Sequence, residues 1–258
     1  MIVNEQISSY INSLNTDMPE YLMKLEKQAL IDEVPIIRKD AQNFLRFLLR
    51  MKKPKRILEV GTAVGFSGSL LAEYMPEDCT ITTIEKVPIR VTEAKKNLSN
   101  SPKADKITLL IGDAMDVLRA LNGKAEGSFE EIYYPGTRQS VKGQGSNSDV
   151  ENVSDELPEE LKQPYDFIFM DAAKGQYMNF LPEIMELLPL DGMFITDNVL
   201  QEGSIAGSKY SVIRRDRTIH TRMREYLYTL THTDELDTVV LPVGDGITLC
   251  TRIKKDER

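Results

Sequence analysis

The stretch Ile57-Leu58-Glu59-Val60-Gly61-Thr62-Ala63-Val64-Gly65-Phe66-Ser67 decides the fold of this chain. A short apolar run ends in a glycine turn, and Leu70, Leu71 and Tyr74 then recur at the spacing of a buried helical face. Glycine lets the backbone bend sharply and approach a ligand closely, and the first amides of a helix are free to donate hydrogen bonds. The stretch therefore predicts a strand, a cofactor-binding turn and a helix.

Around this stretch, short apolar runs alternate with longer amphipathic ones, which predicts βα units and a parallel sheet. The predicted strands are Arg56–Val60, Thr80–Glu85, Ile107–Ile111, Tyr165–Met170, Gly192–Thr196, Thr238–Pro242 and Ile247–Arg252. The last two are joined by Val243-Gly244-Asp245-Gly246, whose Asp-Gly pair is a hairpin signal. We expect one α/β domain over residues 1–258: a Rossmann-like, seven-stranded, mostly parallel sheet with an antiparallel C-terminal hairpin and helices on both faces.

Two segments depart from this pattern. Residues 1–53 predict a helical N-terminal extension, because Asp17 and Glu20 resemble a capping box and apolar residues recur at helical spacing after Glu20 and after Asp40. Residues 122–163 contain five glycines, nine acidic and four basic residues between two clear strands, and this span is too long for an ordinary loop. We interpret it as a flexible acidic insertion in which only Ile132–Pro135 docks on the domain.

The composition excludes several classes of protein. The chain has 258 residues, a net charge of -8 and 41% hydrophobic residues, which indicates an ordinary globular protein. Cys79 and Cys250 are too few for a disulfide framework or a zinc site. Neither a signal peptide nor an apolar run of membrane-spanning length is present, so we expect a cytoplasmic protein without a membrane partner.

The ends of the first three strands predict one half of a binding site. The glycines are spaced Gly-x-x-x-Gly after Glu59, whereas a dinucleotide fold favours Gly-x-Gly-x-x-Gly to hold a pyrophosphate. Glu85 ends the second strand, where such folds place a carboxylate that accepts hydrogen bonds from ribose hydroxyls. Gly112-Asp113-Ala114 ends the third, where a carboxylate and an amide can read the edge of adenine. Ribose recognition without a pyrophosphate indicates an adenosyl cofactor.

The next two strands end in groups suited to a hard cation. Asp171-Ala172-Ala173-Lys174 follows one of them and Asp197-Asn198 follows the other. Because parallel strands end at the same edge of a sheet, two carboxylates and one amide oxygen can converge there, as Mg²⁺ prefers. His220 and His232 lie in a helical stretch far along the chain, which disfavours zinc and a Ser-His-Asp triad. Taken singly, each acid could instead cap a helix, and Lys174 could be a solvated loop residue.

Together these motifs resemble the metal-dependent O-methyltransferases, the family of catechol O-methyltransferase and caffeoyl-CoA O-methyltransferase. The similarity covers about Met18 to Ile253 without the insertion, and its three motifs are the glycine loop, Asp171–Lys174 and Asp197–Leu200. It implies that S-adenosylmethionine is the methyl donor and that Mg²⁺ or another hard divalent cation is bound by Asp171, Asp197 and Asn198. It further implies that Lys174 is the base and that the cofactor is lined by Ile37, Glu59, Gly61, Ser67, Glu85, Asp113, Ala114 and Asp171.

Within that family the chain is most similar to the bacterial tRNA 5-hydroxyuridine methyltransferases, which have a helical N-terminus and an arginine-rich helix after the Asp-Asn segment. Six basic residues and one acid lie between residues 209 and 224, namely Lys209, Arg214, Arg215, Arg217, Arg222 and Arg224 with Asp216. Such a local positive charge can pair with the phosphates of a tRNA anticodon stem-loop, although it could equally be a solvated helix face. The resemblance also implies a homodimer.

The acceptor cannot be read from these motifs alone. Chelation of a hydroxyl requires a second oxygen beside it, and 5-hydroxyuridine provides one in its 4-carbonyl, as catechols do in their second hydroxyl. Our first hypothesis is methylation of 5-hydroxyuridine in tRNA to 5-methoxyuridine, and the second is methylation of a small catechol-like or caffeoyl-like molecule. Two hypotheses from other classes are an NAD-dependent dehydrogenase and a non-catalytic nucleotide-binding module.

Overall fold

The computed structural model describes residues 2–143, 153–154 and 156–254. Its strands are β1 (Arg56–Val60), β2 (Thr80–Glu85), β3 (Ile107–Ile111), β4 (Glu131–Tyr134), β5 (Gln139–Gly143), β6 (Val153–Ser154), β7 (Phe167–Met170), β8 (Met193–Thr196), β9 (Leu236–Leu241) and β10 (Ile247–Arg252). Its α-helices are α1 (Glu5–Ser13), α2 (Glu20–Ile31), α3 (Lys39–Lys52), α4 (Phe66–Tyr74), α5 (Pro88–Ser99), α6 (Ala114–Leu121), α7 (Tyr177–Leu187) and α8 (Arg217–His232).

All of these strands belong to one sheet in the order β6-β5-β4-β3-β2-β1-β7-β8-β10-β9. Strands β3, β2, β1, β7 and β8 are parallel to their neighbours within this group, and β10 and β9 continue the sheet antiparallel. The α/β fold with a mostly parallel centre and an antiparallel C-terminal pair is thus confirmed. Four of the seven predicted strands have the predicted bounds, and the bounds of the other three differ by one or two residues. The described sheet has ten strands rather than the predicted seven.

The central strands are buried along almost their whole length because both of their faces are covered. Successive residues of β1 point to opposite sides, so Ile57 packs in the core with α2 to α5 while Leu58 packs in the core with α6 to α8. In β7, Phe167 likewise packs in the core with α2 to α5, and Ile168 packs in the core with α6 to α8. The sheet therefore separates two hydrophobic cores, with helices on both faces as predicted.

The strand order places a crevice at the end of β1. The chain moves outward from β1 to β2 and β3 on one side and returns to β7 and β8 on the other. Connections that leave in opposite directions open a crevice between them at the carboxyl ends of the strands, where ligands of α/β proteins bind. The fold thus brings the ends of five parallel strands to one edge.

The N-terminal extension is helical, as the sequence predicts, but it starts differently. The second helix begins at Glu20 with Pro19 as its N-cap, and no side chain caps it. Asp17 and Glu20 therefore do not form the predicted capping box, because the chain enters this helix through Pro19, whose fixed φ suits a helix start.

The first helix, α1, lies on the surface of the domain and has no buried residue. Its side chains Ile7, Tyr10, Ile11 and Leu14 are all exposed. Neither this helix nor any other in the described part of the chain is long and apolar enough to cross a membrane.

The structure corrects the prediction of a flexible insertion over residues 122–163. Within it, β4 pairs antiparallel with β3, and β5 pairs antiparallel with β4. Phe129, Ile132, Leu157 and Leu161 are buried in the core beneath these strands. The pairing occurs because β3 would otherwise end the sheet with unpaired backbone groups, which β4 satisfies. The polar surroundings of these few apolar residues concealed the strands, and residues 144–152 and 155 lie outside the described part.

We predict that Ile132→Ala destabilises the whole domain. Ile132 is 1% exposed in the central core, so its truncation should lower the free energy of unfolding by ~2–5 kcal/mol in urea titrations. Gln139→Ala on the neighbouring exposed strand is the control and should change it by less than ~0.5 kcal/mol. Equal stability of the Ile132→Ala variant and the wild type would show that this segment is not part of the cooperative core.

Candidate active site

A cavity of about 710 Å³ lies in the crevice at the carboxyl ends of the parallel strands. It is lined by every predicted site residue except Glu59, namely Ile37, Gly61, Ser67, Glu85, Asp113, Ala114, Asp171, Lys174, Asp197 and Asn198. These residues come from segments up to 161 positions apart, from Ile37 to Asn198, and the strand order alone brings them together.

The glycine turn forms the floor of the cavity. Gly61 has φ +93°, and a Cβ at this position would overlap the carbonyl oxygen of Asp171. The amide of Asp171 donates to the carbonyl of Val60 at 3.0 Å, so the ends of β1 and β7 touch at this glycine. Gly65 has φ +84° and is the N-cap of α4. Both positions require glycine because a side chain would be strained or would clash.

Glu85 is fixed by the backbone around it. Its Oε2 accepts a hydrogen bond from the amide of Ala63 at 2.9 Å, and its Oε1 accepts from the amides of Lys86 and Val87 at 2.8 and 2.9 Å. The side chain is 6% exposed and lines the cavity. A carboxylate held in this way presents its remaining lone pairs in a fixed direction, which suits the two hydroxyls of a ribose.

Asp113 combines the two roles that the sequence left open. It is the N-cap of α6, where its Oδ1 accepts from the amide of Met115 at 2.9 Å, and it also lines the cavity. Burial raises the pKa of this carboxyl, but the ion pair with Lys86 at 3.0 Å and the Met115 amide outweigh it, so the pKa is lowered. Asp113 is therefore an ionised acceptor at the edge of the cavity.

Glu59 lies beneath the turn rather than in the cavity wall. It is fully buried, accepts a hydrogen bond from the hydroxyl of Thr83, and has one carboxylate oxygen without a partner. Burial raises its pKa to about 7, against the opposing effect of neighbouring hydroxyls. A Cβ at Gly68 would come within 2.9 Å of this carboxylate, so Glu59 packs directly under the start of α4. Its contact with a cofactor stays a prediction.

The other end of the cavity holds two carboxylates, the buried Asp197 and the partly buried Asp171. Burial raises the pKa of Asp171, although Lys174 and Asn198 lower it, and burial and then the charge of Asp171 raise the pKa of Asp197. Asp197 is 3% exposed, and its backbone carbonyl accepts from the hydroxyl of Tyr177 at 3.2 Å. The two acids repel each other in a poorly solvated place, so a bound cation would stabilise the pair.

This donor set fits a hard divalent cation. Among the described residues no cluster of three His, Cys, Asp or Glu side chains could hold a metal, and here an amide completes the set. The amide nitrogen of Asn198 donates to Oδ1 of Asp171 at 3.1 Å. Rotation about the last side-chain bond would exchange this nitrogen for the amide oxygen, which a cation would take. Two carboxylates and an amide oxygen are donors that Mg²⁺ prefers, so Asp171, Asp197 and Asn198 would be the residues to hold it.

Lys174 lies beside these acids on a short turn that is held from outside the cavity. The next residue, Gly175, accepts a hydrogen bond at its carbonyl from Nη1 of Arg222 at 3.0 Å. The turn is therefore fixed against α8. The charge of Lys174 lowers the pKa of both carboxyls, and an amine in this position suits a base or a positive charge beside a reacting oxygen.

The sequence analysis missed several residues of the cavity wall. They are Arg38, Arg90, Met115, Phe180 and Asp245, among others. Arg90 follows the predicted ribose acid by five positions, so the start of α5 was a usable signal. Asp245 was assigned only to a hairpin turn, because its position beside Asp197 depends on the pairing of β10 with β8.

The basic segment has two parts in the structure. Three of its arginines donate hydrogen bonds to backbone carbonyls and thus anchor the segments around α8. Arg217 donates to Val212 and Arg222 donates to Gly175. Arg224 donates to both Ile205 and Gly207. Lys209, Arg214 and Arg215 are exposed on the surface, and Arg215 lies 3.5 Å from Asp216. His220 is buried against the carbonyl of Gly207, and His232 contacts Tyr228, so both histidines have structural positions.

Comparison with known proteins identifies the class. A family model described as O-methyltransferase matches residues 7–142 and 136–253. The chain belongs to the O-methyltransferase family. A caffeoyl-CoA O-methyltransferase of Stellaria longipes is 27% identical over 260 residues, which is 98% of this chain and 92% of that protein. Family membership argues against the NAD-dependent dehydrogenase and the non-catalytic module.

Solved structures agree with this O-methyltransferase in fold. The SAH-bound Podospora anserina methyltransferase PaMTH1 aligns with a TM-score of 0.74 at 20% identity, covering 98% of this chain and 97% of that chain. The Bacillus cereus O-methyltransferase in complex with SAH aligns with a TM-score of 0.72 at 17% identity, covering 96% and 97%. At this identity the similarity concerns the fold.

We predict that Glu59 makes the stability of this O-methyltransferase depend on pH. Its pKa of about 7 in the folded state exceeds the ordinary 4.5, so its favourable contribution is complete below about pH 4.5 and is lost as the pH rises through 7. The Glu59→Gln variant has no charge at this position. Between about pH 5 and pH 8 its free energy of unfolding should therefore fall less than that of the wild type, and the difference should reach up to ~3 kcal/mol.

Urea unfolding at both pH values measures this difference. Glu126→Gln, which changes an exposed acid, is the control and should follow the wild type at both pH values. The same loss of stability in the wild type and in Glu59→Gln would contradict an uncompensated buried charge.

Proposed function

We propose that this O-methyltransferase transfers the methyl group of S-adenosylmethionine to a hydroxyl that has a second oxygen beside it, on a small catechol-like molecule. The observation that carries the proposal is the single cavity that joins the Glu85 and Asp113 end to the Asp171, Asp197 and Lys174 end. One end suits an adenosyl group and the other suits a cation with an oxygen nucleophile.

The choice of donor rests on the groups in the cavity and on the relatives. Glu85 and Asp113 provide acceptors for ribose and adenine, and no glycine spacing is suited to a pyrophosphate. The buried acids give the cavity a negative potential, which favours a sulfonium ion over a second anion. Two structures of the same fold carry SAH, the product of this donor.

Different side chains of the cavity have different roles in the proposed methyl transfer. Asp171, Asp197 and Asn198 would hold the divalent cation, which when bound favours the ionised form of a nearby hydroxyl. Lys174 accepts the proton of that hydroxyl or stabilises its negative charge. The glycine turn and Glu85 orient the donor so that the nucleophile faces the methyl group opposite the leaving sulfur, which is the main requirement of an in-line displacement.

A small acceptor accounts for the surroundings of the site. Lys174 and the two acids lie inside the cavity rather than on an open surface, and three of the six basic residues nearby are used to anchor the backbone. The caffeoyl-CoA O-methyltransferases among the relatives act, by name, on a catechol-bearing thioester. For such a substrate the exposed Lys209, Arg214 and Arg215 would face the coenzyme phosphates.

The second candidate is tRNA that contains 5-hydroxyuridine. The specific observation in its favour is the same exposed cations, Lys209, Arg214 and Arg215, on a chain whose net charge is -8. Phosphate contacts by such residues provide affinity without reading bases. The 4-carbonyl beside the 5-hydroxyl has the geometry that the site requires.

We also propose a homodimer. The apolar side chains of α1 are exposed, and so are Phe47 and Met51 of α3. Exposed apolar side chains favour association, and a second copy of the chain is always present. Sedimentation of the wild type and of a Tyr10→Glu, Leu14→Glu variant distinguishes a dimer from a monomer.

We predict that Lys174→Ala abolishes turnover without loss of donor binding. Removal of the base should lower kcat by at least ~10²-fold, while calorimetric titration with S-adenosylhomocysteine should give an unchanged Kd. Lys27→Ala, at an exposed position of α2, is the matched control and should retain both properties. Full activity of Lys174→Ala would remove this residue from the mechanism, and binding of NAD instead of S-adenosylhomocysteine would overturn the proposed donor.

We predict that reversing two surface charges separates the acceptors. In Arg214→Glu with Arg215→Glu, kcat/KM for a free catechol should stay within about 2-fold of the wild type, because these residues lie outside the cavity wall. With hydroxyuridine tRNA or a caffeoyl thioester of coenzyme A, KM should rise and the salt dependence should weaken. Methylation of tRNA but not of catechols, measured by mass spectrometry, would overturn the small-molecule proposal in favour of tRNA.

A further inference from the structure

The turn between β9 and β10 borders the metal end of the cavity. Because β10 runs antiparallel to β8, with Thr248 opposite Thr196, β10 begins where β8 ends. The turn Val243–Gly246 therefore lies next to Asp197, and a Cβ at Gly244 would be 3.9 Å from Oδ1 of Asp197. Asp245 of this turn is 9% exposed and lines the cavity.

Three hydrogen bonds connect this turn to the loop that follows β8. The amide of Val199 donates to the carbonyl of Gly246 at 2.9 Å, and the amide of Leu200 donates to the carbonyl of Asp245 at 3.0 Å. The third bond is made by a side chain, since the amide of Glu202 donates to Oδ1 of Asp245 at 2.5 Å. The side chain of Asp245 therefore holds the loop at Glu202, four residues after Asn198.

The loop needs such an attachment because its backbone is strained. Asn198, Gln201 and Glu202 have φ of +63°, +45° and +55°, and Gly203 has φ +88°. Non-glycine residues in this region cost about 1 kcal/mol or more each and persist only when their surroundings fix them. Without the bond to Asp245, the amide of Glu202 would lose its acceptor and the loop could relax toward an ordinary conformation.

The nearby ion pair cannot replace this bond. Nη2 of Arg38 lies 3.0 Å from Oε1 of Glu202 and 4.0 Å from Oδ1 of Asp245. The Arg38 and Glu202 side chains are 37% and 66% exposed, and a pair so open to solvent contributes little. The backbone amide of Glu202, rather than its carboxylate, is therefore the anchored group.

We propose that Asp245 is a positioning residue for the cation site: it holds the strained loop so that Asn198 stays beside Asp171 and Asp197. The inference rests on the proposed metal-dependent function. Groups that orient metal ligands typically change metal affinity by ~10–100-fold when removed. Asp245 acts through the backbone of the loop, and its effect should therefore appear in metal binding and in loop protection before any turnover is measured.

The test compares Asp245→Ala and Asp245→Asn with the wild type, using the full chain saturated with S-adenosylhomocysteine. Calorimetry with Mn²⁺ should show ~10–100-fold weaker binding for Asp245→Ala. Asp245→Asn keeps an oxygen acceptor for the amide of Glu202 and should stay within a few-fold of the wild type. Hydrogen exchange of the amides of Val199, Leu200 and Glu202, measured without metal, should accelerate in Asp245→Ala and not in Asp245→Asn.

Two further variants exclude other causes. Asp237→Ala removes an exposed acid from the same hairpin, and Glu202→Ala removes the ion pair but keeps the anchored amide, so both should bind Mn²⁺ like the wild type. Wild-type Mn²⁺ affinity or wild-type amide exchange in Asp245→Ala would overturn the role of Asp245 and leave the metal proposal intact. A wild-type protein that binds no Mn²⁺ would instead overturn the metal-dependent function together with this inference.

Discussion

The close contact between the ends of β1 and β7 is the constraint on which the rest of the site depends. Gly61 has no side chain, and the carbonyl of Asp171 occupies the space that a Cβ would need. This contact puts the glycine turn directly against the end of β7, where Asp171 lines the cavity. Glu85 then fixes the same turn from the other side through the amide of Ala63. The two ends of the cavity therefore meet at one backbone contact and cannot shift independently.

Desolvation of acidic side chains is the second common feature of the site. Glu59, Asp171 and Asp197 all have pKa values raised by desolvation, and they lie in a row below and beside the cavity. A sulfonium donor would balance part of the negative charge of these acids, and so would the divalent cation that we propose. Within the protein, the charge of Lys174 stabilises the ionised forms of Asp171 and Asp197 only in part, so the cavity favours positively charged ligands.

Strands β4 to β6 and helix α1 lie away from the contact between β1 and β7. Strands β4 to β6 extend the sheet at one end, and α1 adds an exposed apolar surface at the N-terminus. The exposed cations of residues 209–215 border α8, whose Arg222 supports the turn of Lys174. The cavity is therefore built mainly from the ends of the central strands, whereas these peripheral segments lie away from the contact at Gly61.

The sequence by itself determined the α/β fold and most of the cavity. The glycine turn, Glu85, Asp113, Asp171, Asp197 and Asn198 each follow an apolar run, and parallel strands must end at one edge, so their convergence follows from local patterns. Tertiary structure alone decided that Glu59 lies under the turn, that Asp245 enters the cavity wall, and that residues 131–143 join the sheet. The physical reason is that these outcomes depend on which strand pairs with which, and on what remains unpaired at a sheet edge. Such long-range pairings leave no periodic signal in the residues themselves.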